Sequence, residues 1–393
     1  MTSIAEPLQP PTRVLLGPGP SNVHPRVLRA MSVPLVGHLD PAFLRIMDET
    51  RRLLQFVFQT RNELTIAISG TGSAGMEACL TNLLEPGDEA VVCVNGVFGT
   101  RMADIVERCG AIVVRAEAPW GQVVEPAAIA AALSRCRRPK LVAIVHAETS
   151  TGAWQPLEGI AELAHAAGAL LVVDAVTSLG GCPVRVDEWG IDACYSGTQK
   201  CLSCPPGLAP ITFGPRALDV LLQRRTKVQS WYLDLTMTQK YWGAERVYHH
   251  TAPISMNYAL HEALRLIAEE GLEARWSRHE RNHAALKQGL AAIGLTIASQ
   301  PGHQLWTLNS VRIPDGVEDA RLRTALLEEY NIEIGGGLGP LKGQTWRIGL
   351  MGESSTAANV LLVLSTLERV LPRCGYPIEA GAGVAAAQRA YAA

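Results

Sequence analysis

The chain contains the apolar run Leu170-Leu171-Val172-Val173-Asp174-Ala175-Val176, which carries one aspartate near its end. A short run that is apolar on both faces predicts a strand buried inside a parallel sheet. A second predicted strand leads into Tyr195-Ser196-Gly197-Thr198-Gln199-Lys200. Because proteins with parallel sheets hold their ligands at the carboxyl ends of the strands, Asp174 and Lys200 are predicted to lie at one ligand site.

Other short apolar runs on either side of these segments alternate with longer helical patterns. The predicted strands are 64–68, 90–94, 111–115, 141–146, 170–173, 193–196 and 210–213. Strands that are apolar on both faces, with helices between most of them, predict an α/β fold in which helices cover both sides of a mainly parallel sheet.

The same patterns predict the organisation of the chain into domains. We expect a large domain over residues 21–260 and a smaller C-terminal α/β domain over residues 261–379. The Pro-rich first 20 residues are expected to form an arm that lies outside both domains. The Ala/Gly-rich residues 380–393 are expected to form a frayed tail.

Composition and charge argue against several classes of protein. The chain has 393 residues, of which 48% are hydrophobic and 18% are charged, as in ordinary globular proteins. The formal net charge is -2, and the absence of a Lys/Arg-rich run argues against nucleic acid as a partner. The sequence shows neither a signal-peptide pattern nor an apolar stretch of about 18 residues that would span a membrane. With nine cysteines in segments of buried character, we expect a cytoplasmic protein without a disulfide framework.

A glycine-rich loop, Ser69-Gly70-Thr71-Gly72-Ser73-Ala74-Gly75, follows a predicted strand and opens a helix. Its free backbone amides would bind a phosphate, although a plain strand-to-helix turn gives the same pattern. The spacing also fits a dinucleotide site, which requires an acidic residue at the end of the next strand. That strand ends in Cys93-Val94-Asn95-Gly96, whereas Asp88 and Glu89 precede it. A nicotinamide-dependent dehydrogenase is therefore disfavoured.

The pair Asp174 and Lys200 meets the chemical needs of a pyridoxal ring. A lysine bonds covalently to the aldehyde of pyridoxal phosphate, and a carboxylate keeps the pyridine nitrogen protonated so that the ring takes up electrons. Taken singly, Asp174 could cap a helix and Lys200 could lie on the surface. In the order phosphate loop, aspartate, lysine, the combination predicts a pyridoxal-phosphate enzyme with Lys200 as its catalytic lysine.

At these residues the chain resembles the alanine:glyoxylate (serine:pyruvate) aminotransferases, within the class V group of fold-type I pyridoxal-phosphate enzymes. The resemblance implies a large domain with a mainly parallel seven-stranded sheet and a homodimer in which residues 1–20 lie over the partner subunit. The matching motifs are LLGPGPSN (15–22), FQTRN (58–62), ISGTG (68–72), LEPGD (84–88), HAETSTG (146–152), YSGTQK (195–200), YHHT (248–251) and GGLGP (336–340).

The resemblance also implies roles for residues at the cofactor. Lys200 would carry the cofactor and move a proton, and Asp174 would pair with the ring nitrogen. The family commonly has histidine where Ser73 stands and often tryptophan where Phe98 stands. The other residues implied to bind the cofactor are Thr71, Gly72, Ser73 and Gln199 at the phosphate, Phe98 on the face of the ring and Thr149 near the phenolic oxygen.

Further roles concern the partner subunit and the substrate. By the resemblance, Tyr248 and Thr251 cross the dimer interface to the phosphate of the partner, so that each active site is built from two chains. Arg347 clamps the substrate carboxylate, because its planar guanidinium matches a carboxylate bidentately. The turn that contains Gly19 passes close to the substrate side chain, which favours small amino acids.

The expected reaction moves the amino group of alanine or serine to glyoxylate. Serine:glyoxylate, ureidoglycine:glyoxylate and kynurenine-type transaminases remain alternatives, since they share the catalytic residues. A cysteine desulfurase is a poor fit because Cys374 is the only cysteine after Cys204. No metal site is expected, since the pair His249-His250 has no third ligand at a suitable spacing and Cys201 and Cys204 lack a second cysteine pair.

Overall fold

The structure, a computed structural model, describes residues 7–392. The helices are α1 (Pro25–Met31), α2 (Pro41–Phe58), α3 (Gly72–Leu83), α4 (Val97–Arg108), α5 (Pro126–Leu133), α6 (Ile160–Ala166), α7 (Pro215–Leu222), α8 (Leu235–Trp242), α9 (Ile254–Glu270), α10 (Leu272–Ala292), α11 (Asp319–Tyr330), α12 (Ala357–Arg373) and α13 (Ala382–Ala392). The strands are β1 (Val14–Leu15), β2 (Leu64–Ser69), β3 (Glu89–Val94), β4 (Ile112–Glu117), β5 (Pro139–Val145), β6 (Ala147–Glu148), β7 (Ala153–Trp154), β8 (Leu170–Asp174), β9 (Ala193–Tyr195), β10 (Leu208–Phe213), β11 (Leu308–Arg312), β12 (Ile332–Glu333), β13 (Gly335–Gly336) and β14 (Thr345–Gly349).

The large domain is built on a seven-stranded sheet with the order β2-β10-β9-β8-β5-β3-β4. Strand β10 runs antiparallel to both of its neighbours, and the other pairs are parallel. The prediction of a mainly parallel sheet covered by helices is therefore confirmed. Strands β8 and β10 are buried along their whole length and β5 is buried from Leu141 to Val145, as their lack of alternating polarity indicates.

The strand register brings the ends of β5, β8 and β9 to one edge of the sheet. Val145 pairs with Asp174, and Asp174 pairs with Tyr195. The N-terminus of α3 follows β2 at the same edge, since β2 is parallel to β9 across the antiparallel β10. This edge is where a parallel sheet offers a ligand site.

The small domain has its own core beneath a three-stranded antiparallel sheet of order β11-β14-β13. Leu286, Trp346 and Leu364 belong to this core and are fully buried. Over the described residues, 7–392, no helix combines the length and apolar character needed to cross a bilayer.

The structure differs from the predicted domain boundary at residue 260. Two helices, α9 and α10, span this boundary and are separated at Gly271, whose φ is 82°. Ile267 of α9 and Trp276 of α10 pack in the core of the large domain, whereas Ala285 packs in that of the small domain. The boundary lies within α10 because only the second half of this helix turns its apolar residues toward the small domain.

Both ends of the described chain are also more closely packed than expected. Leu16 is fully buried in the small-domain core, and Val14 pairs with Ile332, because these apolar residues complete that domain. Residues 14–16 are thus not an arm outside both domains, and residues 1–6 lie outside the described part. The expected frayed tail contains helix α13, whose N-terminal amides donate to the Glu368 carboxylate and whose Ala387 is fully buried.

Candidate active site

Three loops converge at the carboxyl edge of the large sheet. The N-terminus of α3 meets the segments that follow β8 and β9 so closely that a Cβ on Gly72 would lie 3.3 Å from Val176 Cγ2. The same Cβ would lie 3.5 Å from the Cα of Gly197, three residues before Lys200. The structure therefore brings the phosphate loop, Asp174 and Lys200 together, as the spacing of the motifs predicts.

Lys200 is half-buried, and its Nζ donates a hydrogen bond to the carbonyl oxygen of Pro18. Burial and, to a smaller extent, the positive charge of Arg347 together lower the pKa of Lys200 to about 8. The next residue of the turn, Gly19, has a φ of 108°, and a Cβ there would lie 2.6 Å from the lysine Nζ. The turn therefore lies against the lysine side chain, and its positive φ favours glycine at position 19.

Asp174 lies at the end of β8 and is 2% exposed. Its Oδ1 accepts from the Val176 amide at 2.8 Å, and its Oδ2 accepts from the Tyr195 hydroxyl at 2.9 Å. Burial raises the pKa of Asp174 to about 7, although these two hydrogen bonds favour the carboxylate. Tyr195 was not among the predicted site residues, because its contact with Asp174 follows from the register of β8 and β9 and not from the order of the motifs.

The N-terminus of α3 presents the phosphate loop. Thr71 is the N-cap residue, its side chain makes no capping hydrogen bond, and both it and Ser73 are exposed. Ser73 Oγ accepts a hydrogen bond from Arg101 Nη1 at 3.2 Å. Arg101 was not among the site residues predicted from the motifs. Gln199 Oε1 is buried with no hydrogen-bond partner within residues 7–392. An unpartnered acceptor oxygen does not bind the acceptor oxygens of a phosphate, so the groups here that fit a phosphate are the free backbone amides at the N-terminus of α3.

Phe98 and Thr149 flank this region from two different elements. Phe98 is the second residue of α4 and is half-buried, and the guanidinium carbon of Arg101 lies 5.0 Å from its ring centroid. The Phe98 amide donates to Glu148 Oε2 at 3.1 Å. Thr149 is 2% exposed and follows Glu148 on the β6–β7 hairpin. Glu148 was quoted within a motif but received no role from the sequence.

Arg347 projects from β14 of the small domain and is 8% exposed. Its Nε donates to the Gly336 carbonyl at 2.8 Å and its Nη1 to the Thr149 carbonyl at 3.3 Å. Burial lowers its pKa to about 10, whereas the charge of Glu148 raises it. An arginine held by backbone oxygens, with its charge unpaired by a hydrogen-bonded carboxylate in the described chain, can bind a ligand carboxylate.

Within residues 7–392, neither Tyr248 nor Thr251 makes a hydrogen bond to the phosphate loop of its own chain. Tyr248 is 56% exposed, its ring centroid lies 5.2 Å from that of His38, and Thr251 is also exposed. In the motif YHHT (248–251), the residue that contacts the phosphate loop is His250, whose Nε2 lies 2.7 Å from Ser69 Oγ.

The described residues fit pyridoxal phosphate as a bound group. Asp174 is a buried carboxylate where the ring nitrogen would need one, and Lys200 has a lowered pKa. The free backbone amides at the N-terminus of α3 are placed to hold a phosphate. These residues come from three loops that the fold brings to one edge of the sheet.

Comparisons with known proteins agree with this geometry. The sequence profile of the family Aminotransferase class-V matches residues 14–351. The (S)-ureidoglycine–glyoxylate transaminase of Bacillus subtilis is 44% identical, over 97% of this chain and 96% of that protein. The alanine–glyoxylate aminotransferase of Rattus norvegicus is 43% identical, over 95% of this chain and 91% of that protein.

Solved structures give the same result. The alanine–glyoxylate aminotransferase of Nostoc sp. has a TM-score of 0.92 and 54% identity, covering 93% of this chain and 97% of that one. The ureidoglycine–glyoxylate aminotransferase of Bacillus subtilis has a TM-score of 0.96 and 45% identity, covering 99% and 100%. This chain therefore belongs to the class V aminotransferase family and is a transaminase that uses pyridoxal phosphate.

Proposed function

We propose that this enzyme transfers the amino group of a small L-amino acid, alanine or serine, to glyoxylate. The products are glycine and either pyruvate or hydroxypyruvate. The observation that carries the proposal is the close approach of Gly19 to Lys200, where a Cβ would lie 2.6 Å from Nζ. The turn leaves little room beside the amine for a large substrate side chain. The relatives named as alanine–glyoxylate aminotransferases, which are 43% to 54% identical, support the same donor and acceptor.

Ureidoglycine is the second candidate donor. It is supported by the Bacillus subtilis relative, which is named as a ureidoglycine–glyoxylate enzyme and has a TM-score of 0.96. Glyoxylate is the acceptor in both relatives' names, so the two candidates differ only in the amino donor.

The residues of this chain divide the work of transamination. When bound, pyridoxal phosphate supplies an aldehyde that condenses with an amine and a ring that takes up electrons. Arg347 binds the substrate carboxylate in a bidentate manner and so orients the Cα–H bond toward Lys200. Because its pKa is lowered to about 8, about a tenth of Lys200 is neutral at pH ~7, far more than for an ordinary lysine, and the neutral Nζ can take the proton from Cα. Asp174 holds a proton on the ring nitrogen.

We also propose that the active site is completed in a homodimer by Tyr248 and Thr251 of the partner. Both residues are exposed, and neither makes a hydrogen bond to the phosphate loop of its own chain within residues 7–392. Other large apolar side chains near them in sequence or space are exposed as well, including Trp231 at 62% and Val247 at 49%. An exposed aromatic and apolar surface of this kind is typical of an interface.

A panel of amino donors and acceptors tests the reaction. With the purified holoenzyme, L-alanine plus glyoxylate is expected to give the highest kcat/KM among L-alanine, L-serine and ureidoglycine as donors. Glycine formation is the measured product. If L-alanine gives no glycine while ureidoglycine turns over rapidly, the donor is wrong and the transaminase assignment stands.

Replacing Arg347 by lysine tests the carboxylate clamp. Lysine keeps the charge but loses the bidentate geometry, so KM for the amino donor is expected to rise by about tenfold or more. The absorption band of the bound cofactor is expected to stay unchanged. Arg312→Lys, at an exposed position on the adjacent strand β11, is the matched control. An unchanged KM in R347K would exclude the clamp.

Mixed dimers test the shared site. Lys200→Ala is expected to inactivate one kind of subunit, and Tyr248→Ala combined with Thr251→Ala to weaken phosphate binding in the other. A hybrid dimer has one site with an intact lysine, tyrosine and threonine, so at limiting cofactor coexpression should give more activity than the sum of the two variants measured alone. Without recovery in hybrid dimers verified by two affinity tags, both residues would serve their own chain.

The pKa of Asp174 gives a pH dependence of apoenzyme stability. In the unfolded chain an aspartate ionises near pH ~4, whereas in the fold Asp174 stays protonated up to about 7. Between pH ~4 and pH ~7 the native state therefore binds more protons than the unfolded state. Asp174 lowers the free energy of unfolding as the pH rises through this range and causes no further change above pH ~7. Thermal unfolding of the apoenzyme should show this decline, and Asp174→Asn should show a smaller one. Equal declines in the two proteins would contradict the raised pKa.

A further inference from the structure

Glu148 is a buried carboxylate to which the roles above give no task. It lies on β6 with no exposed surface. Burial raises the pKa of its carboxyl group, and hydrogen bonds from Ser150 and from α4 oppose that rise. Within the described chain, its side-chain hydrogen bonds come only from backbone amides and one hydroxyl. Burying a carboxyl group costs free energy of folding, so a buried glutamate at this position is expected to have a specific role.

The donors to Glu148 come from two different elements. Its Oε1 accepts from the Ser150 amide at 3.1 Å and from the Ser150 hydroxyl at 2.5 Å. Its Oε2 accepts from the amide of Phe98 at 3.1 Å. Ser150 Oγ in turn accepts from the amide of Val97 at 3.0 Å. The β6–β7 hairpin therefore satisfies the first amides of α4.

Helix α4 cannot satisfy these amides by itself. Its N-cap residue, Gly96, has no side chain, and a Cβ there would lie 2.4 Å from Glu148 Cδ and 2.5 Å from Ser150 Oγ. The capping carboxylate thus occupies the space that an ordinary capping residue would fill. A negative charge at this position also interacts favourably with the helix dipole.

We propose that Glu148 is a positioning residue for cofactor binding, which holds the backbone of Phe98 and thereby the ring that stacks on the cofactor. The inference rests on the proposed stacking role of Phe98. Glu148 itself touches the start of α4 and the hairpin, and it acts on the cofactor only through them. The hairpin also carries Thr149, whose carbonyl holds Arg347, so the same contact fixes the stacking ring relative to the substrate clamp.

The side chain at position 148 must supply two acceptor oxygens, one for the Phe98 amide and one for the Ser150 amide. A glutamine has the same shape but only one acceptor oxygen, and its NH2 group would face either the Phe98 amide or the Ser150 amide. Glu148→Gln therefore leaves at least one buried amide without an acceptor. The variant keeps the volume of the side chain, so it separates the hydrogen bonds from packing.

A double-mutant cycle on cofactor affinity tests the proposal. The dissociation constant of pyridoxal phosphate is measured by absorbance titration of the full-length apoenzyme. Glu148→Gln is expected to raise it about tenfold, and Phe98→Ala to raise it by a similar factor or more. Because Glu148 acts through the Phe98 ring, the double variant should bind no more than about twofold more weakly than Phe98→Ala alone.

Three outcomes would overturn the proposal: an unchanged dissociation constant in E148Q, an unchanged constant in F98A, or single effects that multiply in the double variant. Glu158→Gln, at an exposed position of the following loop, is the control and should match the wild type. If E148Q does not fold, Ser150→Ala replaces it, since it removes the acceptor of the Val97 amide, and the same coupling with Phe98→Ala is expected. The titrations contain no amino donor, so a wrong substrate assignment would not affect them.

Discussion

The active site depends on the register between β8 and β9. Asp174 lies opposite Tyr195, so the tyrosine hydroxyl reaches the carboxylate at 2.9 Å and the chain continues directly toward Lys200. A shift by one residue would turn Asp174 to the other face of the sheet and separate it from the lysine. The buried apolar residues of both strands fix this register, and the positions of the charged groups follow from it.

The fold holds four ionisable groups that are buried or half-buried. Two are acids, Asp174 and Glu148, and two are bases, Lys200 and Arg347; burial shifts the pKa of each toward its neutral form. The opposite charges partly compensate one another, since Glu148 favours charged Arg347 and Asp174 favours charged Lys200. The part of the desolvation penalty that these attractions do not offset lowers the stability of the fold. Binding of a charged ligand can reduce that penalty.

The sequence predicted those features of the site that depend on strand ends. Asp174, Lys200 and the loop at Gly72 each follow an apolar run, and parallel strands bring such positions to one edge. Tyr195 and Glu148 could not be assigned in this way, because their partners are set by strand register and by a hairpin that packs on α4. The same limit applies to the chain ends, since the small-domain core that buries Leu16 is formed by segments distant in sequence.

The N-terminal segment connects Arg347, the proposed substrate clamp, to Lys200, the proposed catalytic lysine. The Leu16 carbonyl accepts from the amide of Gly349, at the end of the strand that carries Arg347. A few residues later, Pro18 contacts Lys200, and the Ser21 amide donates to the Gln199 carbonyl at 2.9 Å. One short segment thus contacts the active-site strand of the small domain and the lysine loop of the large domain. Its bonds to Gly349 and Gln199 join backbone atoms, and Pro18 accepts from the Lys200 side chain, so this segment links the strand that carries Arg347 to the loop that carries Lys200.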